Sequence, residues 1–444
     1  MTAIQLSDHF TYKKLIRFTL PSIGMMLFTS IYGTIDGLFV SNLVGKTAFA
    51  SLNLVVPFLM VLGGVGAMLG VGGSALTAKT LGEGDTHRAN RYFTMMIYLM
   101  AIVGVVFTVV GVAFMRPVSY LLGATEEMIE DCVLYGNIVM LFNLSWLAQF
   151  TFQSYLIVAE KPKLGLYITL GAGVTNMVLD YLFMAVLDMG LAGAALATGL
   201  SQTVGGLAPF LWFVSKKNTS PLRFVKTKIE LMPMLKACTN GISEMLSSVS
   251  SSITGMLYNR QLILYAGEDG VAAYGVVMYA AWVFIAIYMG YCNGSSPVMG
   301  YHFGARNTAE MKSLMKKSTR LLCGTGVVLV CIAVGFARSI SSIFVGYDGG
   351  LLDMTSRAFM ICALPFLFMW LNIYTSSFFT ALNDGAVSAA ISFMRALVLP
   401  TVCILALPYF FRLDGVWFAL VVSEVLGLCV SLFFLLTKRK KYGY

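Results

Sequence analysis

Twelve long apolar stretches, separated by charged or Gly/Pro punctuation, constrain this chain more than any other feature. They run at approximately 15–44, 48–78, 92–115, 128–159, 164–187, 191–215, 232–265, 271–301, 314–337, 352–381, 386–408 and 414–436. About 20 apolar residues in a helix cross a bilayer, and longer runs imply tilt, bending or extension beyond it. Transmembrane β-strands would read as alternating segments of roughly ten residues, shorter and less continuous than these. The 444 residues are 58% hydrophobic and only 11% charged, too little charge to cover a soluble protein of this size. The expectation is an all-α integral membrane protein with twelve transmembrane helices.

The net charge of +9 could suggest nucleic acid, but its distribution points elsewhere. With both termini and the even-to-odd loops on one side, that side holds 23 of the 30 basic residues, including Lys13, Lys14, Arg17, Lys216, Lys217, Arg223 and the run Lys438 to Lys441. The opposite side holds Lys46, Arg116, Arg338, Arg357 and Arg412, together with the acidic Glu126, Glu127, Glu130 and Asp131. This asymmetry follows the positive-inside rule, with both termini cytoplasmic and a multi-pass placement in the plasma (cytoplasmic) membrane. The first apolar run is too long for a signal-peptide core and lacks a small-x-small cleavage site, so it reads as a retained helix. Eight cysteines lie in or beside apolar runs without metal-like spacing to His9, His87 or His302, and read as small apolar residues.

The two halves repeat one pattern. Leu81-Gly82-Glu83-Gly84-Asp85-Thr86 resembles Phe303-Gly304-Ala305-Arg306-Asn307-Thr308, an offset of 222 residues. The same offset aligns Gly72 with Gly294, Ser74 with Ser296, Leu191-Ala192-Gly193 with Leu413-Asp414-Gly415, and Ser201-Gln202 with Ser423-Glu424. The polar connection 215–231 falls at the midpoint. An even number of spans per half makes the repeats parallel, so the expectation is two pseudo-symmetric six-helix bundles, residues 1–220 and 221–444. The cluster Gly63-Gly64-Val65-Gly66 lacks the strand and βαβ context of a dinucleotide fingerprint and is better explained by close helix packing.

Four acidic residues fall inside apolar runs: Asp36, Asp180, Glu244 and Glu424. A carboxylate in hydrocarbon is costly and survives by facing a cavity, pairing, or carrying a proton or cation. Asn176 lies four residues before Asp180, so both project from one face of the fifth helix. Pro21, fifteen residues before Asp36, removes a backbone donor and is expected to bend the first helix. If the first and fifth helices meet, two carboxylates and an amide share one pocket. Two such groups cannot both ionise cheaply in low dielectric, so the pocket suits a proton or an oxygen-ligated Na⁺ at Asp36, Asn176 and Asp180. Among the other span charges, Glu244 is expected near the cytoplasmic interface, Arg260 to snorkel, and Arg395 to pair with Glu424.

From Pro21 to Asp36-Gly37-Leu38-Phe39-Val40, then Gly45, Pro57, Leu81-Gly82-Glu83-Gly84-Asp85, the Asn176/Asp180 pair and Gly190-Leu191-Ala192-Gly193-Ala194-Ala195, the chain resembles the multidrug and toxic compound extrusion (MATE) family over essentially its whole length. The resemblance implies a V-shaped antiporter of two six-helix bundles. Such a protein expels organic, often cationic, compounds in exchange for Na⁺ or H⁺, with no cofactor beyond the coupling ion. It further implies a cation-coupling set of Asp36, Asn176 and Asp180, completed by a fourth-helix amide, Gln153 by spacing, and the sixth-helix Thr198. A small organic substrate, a lipid surround and a functional monomer follow, with no nucleic-acid partner. The rival in the same wider superfamily is a flippase for a lipid-linked saccharide, which needs a basic cavity that only Arg260 and Arg395 could furnish. An intramembrane enzyme finds no support, since no Ser/His dyad, G-x-G-D acid pair or H-E-x-x-H motif lies in a span.

Overall fold

The computed structural model describes residues 4–44, 46–346 and 348–444, and every regular element among them is helical. Gly45, part of the family-like stretch, lies outside the described residues. The first half contains α1 (Tyr12–Leu43), α2 (Lys46–Gly82), α3 (Thr86–Leu121), α4 (Ile129–Leu141), α5 (Asn143–Val158), α6 (Pro162–Asp180) and α7 (Gly190–Val214). The second contains α8 (Leu231–Gly304), α9 (Thr308–Gly335), α10 (Ala337–Val345), α11 (Gly349–Ala363), α12 (Phe366–Ala381), α13 (Gly385–Phe393) and α14 (Leu399–Tyr442). A π-helical turn extends α6 through Tyr181–Val186, and a second, Met394–Val398, joins α13 to α14.

Twelve spans emerge once the breaks are read physically. Although α8 has 74 residues, it reverses at Gly267, where φ is +63°, and α14 reverses at Arg412, where φ is +51°. The pairs α4/α5 and α11/α12 are each one bent span, turning by 53° and 49°. With 25 residues, α7 is long enough to cross at 1.5 Å per residue, although its Gly, Ala and Thr content keeps its hydropathy low. The sequence reading missed both bends, because Phe142 and the Leu364-Pro365 break sit in uninterrupted apolar surroundings. It also missed the short α10. The expected bend at Pro21 does not break α1, whose helical backbone continues through it.

The repeat is visible in backbone detail. Asp85 caps α3 by accepting from the Arg88 N–H at 2.9 Å, and its counterpart Asn307 caps α9 by accepting from the Glu310 N–H at 3.1 Å. The preceding residues, Gly84 and Arg306, both have positive φ (84° and 54°), as do Gly190 and Arg412 (57° and 51°), again 222 positions apart. Where the halves meet, a Cβ on Gly82 would overlap the Tyr301 carbonyl, and one on Gly304 would overlap the Lys79 carbonyl. Tyr301 and Lys79 are themselves repeat equivalents, so this contact is reciprocal, with α2 and α8 crossing at backbone distance near their basic ends.

Candidate functional site

In the first half, α1, α4, α6 and α7 converge on a buried polar cluster. Asp180, the last residue of α6 before its π-helical turn, is fully buried, and Asn176 one turn earlier is 1% exposed. A π turn widens the helix and re-aims the side chains beside it, a device common at functional sites. The half-buried Asp36 on α1 faces Asp180 closely enough for the two carboxyl groups to interact directly. Tyr135 on α4 lies near Thr198 on α7 and within electrostatic range of both acids. Tyr32, one turn before Asp36, faces the Gln149 amide.

Acceptors dominate this cluster. Both carboxylate oxygens of Asp180, one of Asp36, and the side-chain oxygens of Asn176, Thr198 and Gln202 are buried without a hydrogen-bond partner among the described residues. No basic side chain is ion-paired with Asp36 or Asp180 there. Ionised carboxylates only accept, so the cluster lacks what a proton or a cation would supply.

Of the residues expected here, Asp36, Asn176, Asp180 and Thr198 are brought together. Gln153 is half-buried, and its amide donates to the Thr169 hydroxyl at 3.1 Å. One turn earlier on α5, Gln149 is the amide that faces Tyr32. The reading of the sequence passed over Tyr32, Tyr135 and Gln149. Uncharged residues in apolar runs carry little signal, and Gln149 stands one helical turn before Gln153.

The second half handles its charges differently. Arg395, on the second π turn, donates to Glu424 at 3.1 Å, with side chains 21% and 6% exposed. The Asn372 amide donates to the other Glu424 oxygen at 2.7 Å and to its backbone carbonyl at 3.0 Å, while the Ser431 hydroxyl donates to Asn372. Glu244, half-buried on α8, lies within electrostatic range of Arg395. Arg260 on α8 is exposed. By the repeat, Glu424 corresponds to Gln202 and Tyr258 to Asp36. The second half thus has an acid with its own counter-ion where the first half has acids with none among the described residues.

Fold and site together define a polytopic helical membrane protein built as a tandem repeat, with an acid pair that has no counter-ion among the described residues. The family model described as MatE matches residues 21–182 and 243–405. The multidrug export protein MepA of Staphylococcus saprophyticus is 24% identical over 94% of this chain and 91% of its own, and that of Staphylococcus haemolyticus is 24% identical over 97% and 94%. A MATE crystal structure in complex with MaL6 superposes with a TM-score of 0.94 at 22% identity, covering 100% of this chain and 99% of the other. An outward-facing MATE family transporter superposes at 0.93 with the same identity and coverage. The chain belongs to the MATE family of transporters.

Proposed function

We propose that the chain is a secondary active antiporter that exports organic, often cationic and amphipathic, compounds in exchange for H⁺ or Na⁺. The observation that carries this reading is the buried Asp36/Asp180 pair, which has no basic partner among the described residues. An empty pair of this kind is electrostatically unfavourable, so its occupancy can be coupled to shape. Asn176 and Thr198 would add neutral oxygens if the ion were Na⁺, a hard cation that takes oxygen ligands. A bound ion acts only through its different affinity for the two states, and a complete switch needs roughly a 10⁴-fold difference. The π turn that follows Asp180 gives α6 a segment able to change its winding as the pair fills.

Export by the MepA relatives supports organic compounds as cargo. The flippase reading loses one of its two candidate cavity bases, since Arg395 is engaged by Glu424. We further propose that residues 1–220 and 221–444 form the two lobes, that both termini are cytoplasmic in the plasma membrane, and that a monomer suffices. Matches to the family model that begin at 21 and 243, the repeat spacing itself, support the two-lobe division.

The test is efflux of a fluorescent organic cation from loaded vesicles under an imposed Na⁺ gradient and, separately, an imposed pH gradient. Asn at position 36 keeps the shape of a protonated carboxyl but cannot ionise. Asp36→Asn is expected to abolish gradient-driven efflux, by at least about tenfold on the scale of a lost transition of 1.4 kcal/mol, while the folded yield is kept. Full transport by Asp36→Asn would remove the pair from the coupling step.

A further inference from the structure

Outside the acid pair, the segment joining the two halves builds a cavity that the transport reading does not use. Residues 215–230 do not simply span the gap. They fold back onto α3 through specific hydrogen bonds. The Arg223 N–H donates to the Asn90 side chain at 2.8 Å and the Val225 N–H to the Thr94 hydroxyl at 3.2 Å. The buried Asn218 amide donates to the carbonyls of Phe213 and Leu222, closing a turn through Ser220. Phe224 then packs against Phe93, Phe210 and Phe213, with ring centroids 4.9 to 6.5 Å apart. Between this fold-back and the helices lies a cavity of about 600 Å³.

Its chemistry is divided. Tyr98, Phe210, Phe213 and Phe224 form an apolar, aromatic floor, and Lys216 and Arg223 stand at the rim. Both rim side chains are exposed, and neither has an acidic partner among the described residues. The acid nearest in sequence, Glu230, is ion-paired with Arg91. Val214, Phe210 and Tyr98 are 60%, 39% and 42% exposed, so the floor runs outward onto the apolar flank of α3 and α7. A pocket open both to the hydrocarbon and to the basic face, with two unpaired cations at its mouth, complements a molecule with an acyl tail and an anionic head. Zwitterionic lipid would satisfy the floor and leave the rim without net attraction.

We propose that this cavity is a binding site for an anionic phospholipid of the leaflet on the basic face, with the phosphate held between Lys216 and Arg223 and an acyl chain laid along Tyr98, Phe210 and Phe224. Basic pockets beside transmembrane helices bind such head groups, each basic residue contributing about 1 kcal/mol. The bound lipid would hold the inter-lobe connection against α3, joining lipid composition to the segment through which the two halves are linked.

The experiment is native mass spectrometry of the purified full chain, titrated with phosphatidylglycerol, with phosphatidylcholine of the same acyl chains, and with inorganic phosphate. Phosphatidylglycerol is expected to bind in preference to phosphatidylcholine. Lys216→Gln with Arg223→Gln should weaken it about thirtyfold, the two rim contributions converted at 1.4 kcal/mol per tenfold. The charge-keeping pair Lys216→Arg with Arg223→Lys should restore binding, and Lys438→Gln with Lys440→Gln should leave it unchanged. Because the Asn90 bond uses the Arg223 backbone, the rim variants keep the fold-back, which circular dichroism and thermal midpoint would verify. Equal retention of the two lipids, undiminished binding by the glutamine variant, or displacement by equimolar inorganic phosphate would each overturn the assignment, the last by making the ligand a free anion.

Discussion

At the scale of single residues, the two halves show opposite treatments of a buried carboxylate. Glu424 has Arg395 and Asn372, the latter held in turn by Ser431, whereas Asp36 and Asp180 have each other. Removing one member of a buried ion pair strands the other and costs about 3–5 kcal/mol, while replacing both by neutral groups of similar volume is far milder. Arg395→Met is therefore expected to lower the thermal midpoint sharply in detergent. Arg395→Met with Glu424→Gln should recover most of that loss, and a double-mutant cycle of thermal midpoints measures it. Arg412 is a second residue-scale case. Its φ of +51° with ψ of −130° is a conformation that only glycine adopts freely, and the equivalent position in the first half is Gly190. Arg412→Gly should stabilise the protein by about 1 kcal/mol, read as a raised thermal midpoint. Asp36 and Asp180 stood out in the sequence because charge in an apolar run is conspicuous, and Asn176 because it lies one turn before Asp180. Tyr135 and Gln149 did not, because their importance comes only from what stands opposite them.

At the scale of elements, the apolar runs located the helices but not their interruptions. The reversals at Gly267 and Arg412 fall between runs, so they were visible as gaps. The bends inside α4/α5 and α11/α12 and both π turns leave no trace in hydropathy, although Pro365 stands at the second bend. The crossing of α2 and α8 depends on the absence of side chains at Gly82 and Gly304, each against a carbonyl of the facing helix. A methyl at either position must push the helices apart, and overpacking of this kind costs about 1–3 kcal/mol. Gly82→Ala and Gly304→Ala should therefore destabilise by similar amounts, because the contact is reciprocal. Thermal unfolding of the two variants side by side checks this, and a large difference between them would contradict the reciprocity.

At the scale of the whole molecule, the segment before α1 bridges the halves. The Leu6 N–H donates to Glu160, in the turn between α5 and α6, at 2.7 Å. The Phe10 N–H and the His9 ring meet the two oxygens of Glu310 on α9 at 2.9 and 2.6 Å. Phe10 is fully buried and lies edge-on to Phe18 and His302. One short segment thus ties the first half to the second on the basic face, next to the α2/α8 crossing, and any motion separating the halves there must release it. Glu310→Ala removes both acceptors and leaves the buried Phe10 N–H unsatisfied, a cost of about 1–3 kcal/mol. Faster amide hydrogen exchange across residues 4–11, with little change in α5 and α12, is the expected result.

By itself the sequence determined the all-helical membrane class, and it carried the two-fold repeat and the acids within apolar runs. These follow from hydropathy, from spacing and from the cost of charge in hydrocarbon, all properties of residues taken one stretch at a time. Only the tertiary structure decided that Asp36 meets Asp180, that Gln149 rather than Gln153 faces Tyr32, that Glu424 has a counter-ion, and that the polar linker folds back into a cradle. Each of those depends on which helix faces lie against one another, and in a chain apolar on nearly every face the sequence does not mark which face turns inward.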